Sequence, residues 1–363
     1  MAEVFDRYPG VSRTLYLVDE EFIGRGPDAV PRALAVADVL YEAGFEWETS
    51  CRIDQVVRLD ADRIWHLDRA RMWRRLCRQG LRRCLFGVES GVTSILQRFN
   101  KETTSAQNVL AIRTLSALGV PTRFTYITFD HLMTAEELQA SCAFQNRRDL
   151  LLQPMPHLNI EEIVDGVRDE NWVATHRTGR PFYTGISYLL VSMECLIGAA
   201  YTNQVHAAGL AGAPQPSMGR RDAEFADWRI GRLSHHAQLW VDRHFILDYT
   251  LKSLEKLLDG PPRRVVRAAR LVLKDAAFEL LHTMVALLDH YSLDRPDSAS
   301  LDAQLIVIMN AFLTRLRARM AGTVIEITPV LHDTDTELLS GEYTRWANTD
   351  SWQLINTADP CGT

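Results

Sequence analysis

The sequence predicts an α/β domain, a partial or complete βα barrel, followed by an all-helical C-terminal domain. Three observations carry this. Short β-rich runs recur through the first 160 residues with starts 28 to 39 residues apart, the length of a strand–helix–strand unit. Helix-start and helix-stop chemistry lies between them. After about residue 185 the runs give way to long segments of helical apolar periodicity.

In order, the strand-like runs are 14–22 (TLYLVDEEF), 45–53 (FEWETSCRI), 83–90 (RCLFGVES), 122–130 (TRFTYITFD) and a weaker 150–153 (LLLQ). Between them, 31–43 follows Gly26-Pro27-Asp28 and ends before Gly44, a residue suited to the left-handed position that closes a helix. Segment 104–118 ends the same way at Gly119, with Pro121 beyond. Thr134-Ala135-Glu136-Glu137 has capping-box spacing, in which hydroxyl and carboxylate each satisfy a free N–H of the first turn. Four helical stretches follow, 186–208, 222–258, 262–290 and 299–320, separated by Gly/Pro-rich or polar breaks. A last strand-like run, 322–330 (GTVIEITPV), precedes a polar, partly mobile tail at 333–363. The expected domains are 1–160, 185–322 and a final segment 323–363.

Composition bounds the function. The chain has 363 residues, 47% hydrophobic and 24% charged, with a net charge of −6, which excludes a disordered or fibrous chain and argues against a general nucleic-acid binder. No apolar run reaches the ~20 residues of a membrane span, and the longest, 186–200, is interrupted by Ser192 and Glu194, so no membrane insertion is expected. Cysteines at 51, 77, 84, 142, 195 and 361 form no CxxC or CxxxC loop. With no leader in residues 1–10, they point to a reducing cytoplasm and to a chain that starts where the sequence starts.

In parallel βα architectures, ligands bind at the carboxyl ends of the strands. Here those ends carry Asp19, Glu20 and Glu21; Arg52 and Asp54; Glu89 and Ser90, bracketed by Gly87 and Gly91; and Asp130 with His131. Polar groups at four successive strand ends point to a shared site rather than to separate surface charges. The third segment is the most specific, because its two glycines let the backbone approach a ligand closely while Glu89 accepts from an amino group or hydroxyls.

Asp19-Glu20-Glu21-Phe22 after an aliphatic strand, the stretch GLRRCLFGVESG ending at Gly91, then LQRFNK ending at Lys101 with Thr103-Thr104, resemble the radical S-adenosylmethionine (SAM) barrel. The nearest branch is the one containing the cobalamin-dependent enzymes and the tRNA methylthiotransferases. The resemblance covers residues 10–150. It implies that Gly87, Glu89, Ser90 and Asp130 contribute to a SAM or cofactor site, that Asp19 and Glu21 face the same cavity, and that Arg52 pairs with a carboxylate of SAM or substrate. The departure is the absence of the family's CxxxCxxC loop, whose three thiolates hold a [4Fe–4S] cluster. The sequence begins just before what would be the second barrel strand, and Cys51, Cys77 and Cys84 lack the spacing to replace the loop. No metal site, and no cluster on this chain alone, is therefore expected; cobalamin is left unassigned.

Together these imply a radical-SAM-like biosynthetic enzyme, or an enzyme-derived subunit, that binds SAM or a replacement ligand and acts on a small molecule or peptide. A protein partner supplying the missing elements, or a non-catalytic peptide-binding role for a degenerate barrel, stands as the alternative. Glu279-Leu280-Leu281-His282 has di-iron spacing but lacks matching ligands on neighbouring helices, and His236, Trp240 and His244 read as a core stripe. The arginine-rich stretches at 69–83 and 263–274 read as solvated helix faces, and Gly24-Arg25-Gly26 is too short for a phosphate loop.

Overall fold

Residues 2–8, 10–19 and 21–352 are described by the computed structural model. The chain divides into two units, Met1–Tyr126 with Ala143–Tyr188, and Ile127–Cys142 with Leu189–Thr363. Chain order in the first half is α1 (Ala2–Asp6), β1 (Thr14–Tyr16), α2 (Ala29–Glu42), β2 (Glu46–Arg52), α3 (Arg63–Arg78), β3 (Leu81–Glu89), α4 (Thr93–Arg98), α5 (Ser105–Leu118), β4 (Thr122–Tyr126) and α6 (Ala135–Gln145). The four strands form one parallel sheet in sequential order, so each helical crossover returns the chain beside its predecessor. This is the predicted βα architecture. α7 (Ile160–Gly166) and α8 (Glu170–His176) complete the first unit.

Local chemistry sets these boundaries. The Asp62 carboxylate accepts from the Trp65 N–H at 2.8 Å to start α3, and the Thr104 hydroxyl accepts from Gln107 N–H at 3.2 Å to start α5. Gly119, at φ +74°, closes α5 in the left-handed conformation read from the sequence. The predicted capping box is present, with Glu137 N–H donating to the Thr134 hydroxyl and Thr134 N–H to the Glu137 carboxylate, each at 3.2 Å. β3 buries Leu81, Cys84, Phe86 and Val88. Phe86 links Trp73, 5.2 Å away between ring centroids, to Phe124 at 6.3 Å, forming an aromatic core under the sheet.

The second unit adds β5 (Cys195–Leu196), α9 (Ala200–Ala207), β6 (Ala211–Gln215) and β7 (Arg220–Ala223), in which β7 is the centre of a small antiparallel sheet. Four helices follow, α10 (Trp228–Leu257), α11 (Gly260–Ala286), α12 (Ser298–Ile327) and α13 (Asp333–Asn348), packed on one another. The predicted helical C-terminal region is therefore present.

Several expectations are corrected. Run 122–130 ends as a sheet strand at Tyr126; beyond it the Thr128 N–H donates to Val191 O at 2.7 Å and the Met193 N–H to Phe129 O at 2.8 Å. Residues 150–153 form no strand and make a single bridge, Leu152 to Arg177, because Pro154 follows at once. Segment 186–208 is not one helix: buried Leu190 at φ +64° and Gly198 at φ +86° turn the chain, and only Ala200–Ala207 is helical. The strand-like 322–330 instead continues α12, because Met320, Val324 and Ile327 recur at helical spacing and are buried, and burial overrides β-branched propensity. The supposed polar tail forms α13, fixed by buried Leu339 and Trp346; the rest of that expectation, 353–363, and Glu20 and Cys361, lie outside the described residues. Ser298–Val330 is long and apolar enough by length and composition alone to cross a membrane, and about a third of its most apolar window is buried within the protein.

Candidate functional site

A cleft of about 450 Å³ opens at the carboxyl ends of β2, β3 and β4, within the first unit. β2 contributes Ser50, Cys51 and Arg52, the turn after it Asp54, β3 Gly87 and Glu89, and β4 Thr125; Glu21, Lys101 and Thr103 complete the wall. Among the residues predicted from sequence, the cleft brings together Glu21, Arg52, Asp54, Gly87 and Glu89.

Glu89 owes its position to a bulge. Along β3 and β4, Gly87 pairs with Thr125 but Glu89 pairs with Tyr126, so Val88 is an extra residue on one strand. Glu89 then adopts φ +60°, a left-handed conformation that costs a glutamate about 1 kcal/mol or more and is found where surrounding structure enforces it. Its carboxylate accepts from the Thr125 hydroxyl at 3.0 Å and from Lys101 Nζ at 3.3 Å. Gly87 leaves the space this needs, since a Cβ there would stand 2.8 Å from Glu89 Oε1.

The far wall is a charge network. The Asp54 carboxylate accepts from the Arg52 guanidinium at 3.1 Å, Arg25 at 3.2 Å and the Gln55 amide at 3.3 Å. Glu21 lies 3.8 Å from Arg52 and accepts from Gln55 at 3.2 Å. Arg25 also donates to Glu102 at 2.9 Å, and that bond raises the guanidinium's pKa, with Asp54 adding to it. Asp19 accepts from the Glu21 N–H at 3.0 Å and lines a neighbouring, more open cleft of about 520 Å³ with Arg25 and Arg32. Ser90 is fully buried and its hydroxyl accepts from the Val92 N–H at 3.1 Å, so it caps the loop after β3.

Asp130 belongs to the second unit. Fully buried, it accepts from the Leu132 N–H at 2.9 Å and the Tyr201 hydroxyl at 3.2 Å. The same hydroxyl accepts from the His131 N–H at 2.8 Å, and the Cys195 thiol lies 3.7 Å from His131 Nδ1. Burial pushes the His131 imidazole down to about 4 and the Tyr201 phenol and Cys195 thiol up, so all three are neutral at pH 7. The unfolded imidazole titrates near 6.5. Between pH 6.5 and 4 the unfolded chain therefore binds more protons, and stability falls as pH drops through that window. The unfolding midpoint of the wild type should fall across it, and His131→Gln should flatten the slope; an unchanged slope would show that another group carries the loss.

Sequence reasoning passed over Arg25, Gln55, Glu102 and Thr125. Arg25 carried a signal, standing between Gly24 at φ +73° and Gly26 at φ +110°, a pattern weighed only as a phosphate loop. The arginine-rich stretches are engaged by acids: Arg71 with Glu161 at 2.6 Å, Arg75 with Asp38 at 2.8 Å, Arg83 with Glu48, and Arg270 with Asp248 at 2.7 Å. His236 Nε2 donates to the Asp302 carboxylate at 3.0 Å, and His244 stacks on Trp240 at 4.2 Å.

A [4Fe–4S] cluster does not fit the side chains present. Among the described residues no three His, Cys, Asp or Glu side chains converge as metal ligands. Burial pushes the Cys51 and Cys77 thiols up to about 12 and the Cys84 thiol well above its ordinary value, which disfavours the thiolate a cluster requires.

No family model matches the chain. Among curated proteins it is 28% identical to 4'-phospho-dehydrooxetanocin synthase of Priestia megaterium, over 94% of this chain and 51% of that protein. Among solved structures it is similar to the cobalamin-dependent SAM radical enzyme OxsB with aqua-cobalamin and SAM bound, at TM-score 0.74, 26% identity, 96% of this chain and 52% of that one. The same enzyme with aqua-cobalamin alone superposes at TM-score 0.75 with the same identity and coverage. The chain thus spans about half the length of the relatives it matches. In sequence and in fold it resembles the cobalamin-dependent branch of the radical SAM enzymes, as the motifs of residues 10–150 imply.

Proposed function

We propose that this relative of the cobalamin-dependent radical SAM enzymes is a biosynthetic enzyme or enzyme-derived subunit. On this reading it binds SAM or a replacement ligand in the cleft beyond β2 and β3, and acts on a small molecule. The observation that supports it best is the carboxylate of Glu89, held over the cleft by a strained bulge and flanked by Lys101, opposite the Arg52–Asp54–Glu21 wall. SAM carries an ammonium, a sulfonium, a carboxylate and ribose hydroxyls. Glu89, Glu21 and Asp54 can accept from the ammonium and the hydroxyls and offset the charge of the sulfonium, while Arg52 and Lys101 match the carboxylate. SAM supplies a methyl or an adenosyl group when bound. The chain's own residues orient it and balance its charges.

Titration calorimetry of the full chain with SAM tests this. The wild type should bind, and Glu89→Gln, which keeps shape but removes charge, should bind at least about tenfold more weakly. Equal binding by the variant would remove Glu89 from the site. A wild type that binds no SAM would favour a second reading, in which a partner completes the protein. That reading is supported by the three-residue β1 at the open edge of the sheet, where Tyr16 and Val18 are 50% and 90% exposed.

A further inference from the structure

We infer that the C-terminal helical unit holds a binding site for a small oxyanion between α10, α12 and α13, built from Arg243, Arg317 and Trp346. Arg243 on α10 is fully buried, yet only its Nη2 has a partner, the carbonyl of Trp346 at 2.9 Å; Nε and Nη1 have none among the described residues. Trp346 on α13 is also fully buried, and its indole N–H is likewise unpartnered. Arg317 on α12 donates from Nη2 to the Thr349 carbonyl at 2.8 Å and has a buried, unpartnered Nε.

These groups are neighbours. The two carbonyls that anchor the guanidiniums belong to residues three apart at the carboxyl end of α13, Trp346 in its last turn and Thr349 at its C-cap, which draws both arginines to that end. Burial pushes the Arg243 guanidinium down to about 10, and the positive charge of Arg317 adds to the shift; Arg243 stays cationic at pH 7. Among the described residues, the carboxylate near them is Asp350, which is 94% exposed and pairs with Arg317 at 3.3 Å. Every unpartnered group on the two guanidiniums and the indole is a donor. His244, next to the Trp346 ring at 5.7 Å, is neutral because burial pushes it down to about 3; its Nδ1 donates to the Trp240 carbonyl, and its buried Nε2, also unpartnered, is an uncharged acceptor beside these donors.

Burying a guanidinium with two donor edges unpaired costs several kcal/mol. Capping of the α13 carboxyl end accounts for one edge of each arginine and for part of the charge. The remaining edges call for an acceptor that carries negative charge and several lone pairs, which a phosphate, sulfate or carboxylate group supplies and a neutral ligand does not. Both guanidiniums are anchored on carbonyls at the end of α13, so occupancy would also fix that helix.

Inorganic phosphate, sulfate and acetate, each titrated into the full chain at constant ionic strength against chloride, provide the test. Phosphate or sulfate should raise Tm saturably by roughly 3 °C and change the tryptophan fluorescence contributed by Trp240, Trp346 and Trp352. Acetate acting as well as phosphate would identify a carboxylate site. Arg243→Met should abolish the saturable response. Trp346→Phe, which keeps the ring and loses the N–H, should weaken it severalfold and stands in if the arginine variant does not fold. No saturable response in the wild type, or an identical one in Trp346→Phe and Arg243→Met, would overturn the proposal.

Discussion

Gly91→Ala is expected to destabilise the first unit by about 3 kcal/mol or more, read as a fall in the urea midpoint and Tm. A Cβ at residue 91 would overlap the Phe144 ring. That ring cannot yield, because it stacks on Tyr126 at 6.2 Å and meets Phe182 edge-on at 5.6 Å, all three buried. Nor can the backbone withdraw, since the Gly91 N–H donates to the Tyr126 hydroxyl at 3.0 Å and would lose that bond. Gly322→Ala is the matched control. It lies in α12 with nothing within 4 Å of the added methyl, so the same change should stabilise by up to about 1 kcal/mol. Two glycines of identical chemistry should thus give effects of opposite sign. A Gly91→Ala protein as stable as the wild type would mean that the loop after β3 is not locked against the aromatic cluster.

The glycines bracketing Glu89 were legible in the sequence as a place where backbone approaches something closely. What each approaches was not. Gly87 makes room for the Glu89 carboxylate and Gly91 for the Phe144 ring, the first a cleft feature and the second a packing one. The same limit explains the other outcomes. The capping box at Thr134 and the left-handed Gly119 are local events, governed by neighbours within four residues, and they stand where the sequence puts them, while the first four strand-like runs each hold a strand. Residues 322–330 and 186–208 were misread because hydrophobic content is the same for a strand, a helix or a looped segment. Only tertiary burial of Val324 and Ile327, or the positive φ of Leu190, decides between them. Within the cleft, residues on strand ends could be read off alternation and position. Arg25 and Glu102 reach its wall residues from loops and Gln55 from a short 3-10 turn, and no periodicity marks a residue that the fold carries back to a sheet edge in this way.

Asn108→Asp is expected to be strongly destabilising although it touches no wall of the cleft. Asn108, on α5 and fully buried, donates both amide hydrogens, to the Val88 carbonyl at 3.1 Å and the Ser90 carbonyl at 2.9 Å. These carbonyls flank Glu89, so the amide clamps the bulge on both sides of the left-handed residue. An aspartate has the same shape but no donors, and it would set a buried carboxylate against two carbonyl oxygens. The cost is about 3 kcal/mol. The aspartyl group would escape part of it by holding a proton, which raises its folded pKa above the unfolded ~3.9. Its penalty should therefore be largest at pH 7 and shrink as pH falls through the raised pKa, a recovery that Asn108→Ala, costing about 2 kcal/mol, cannot show. If Glu89 holds SAM, both variants should also weaken SAM binding, the alanine variant about tenfold, while their circular dichroism at 10 °C stays native. Normal affinity in a folded Asn108→Ala protein would show that the bulge keeps its form without the clamp, and that the strain at Glu89 is sustained by Thr125 and Lys101 instead.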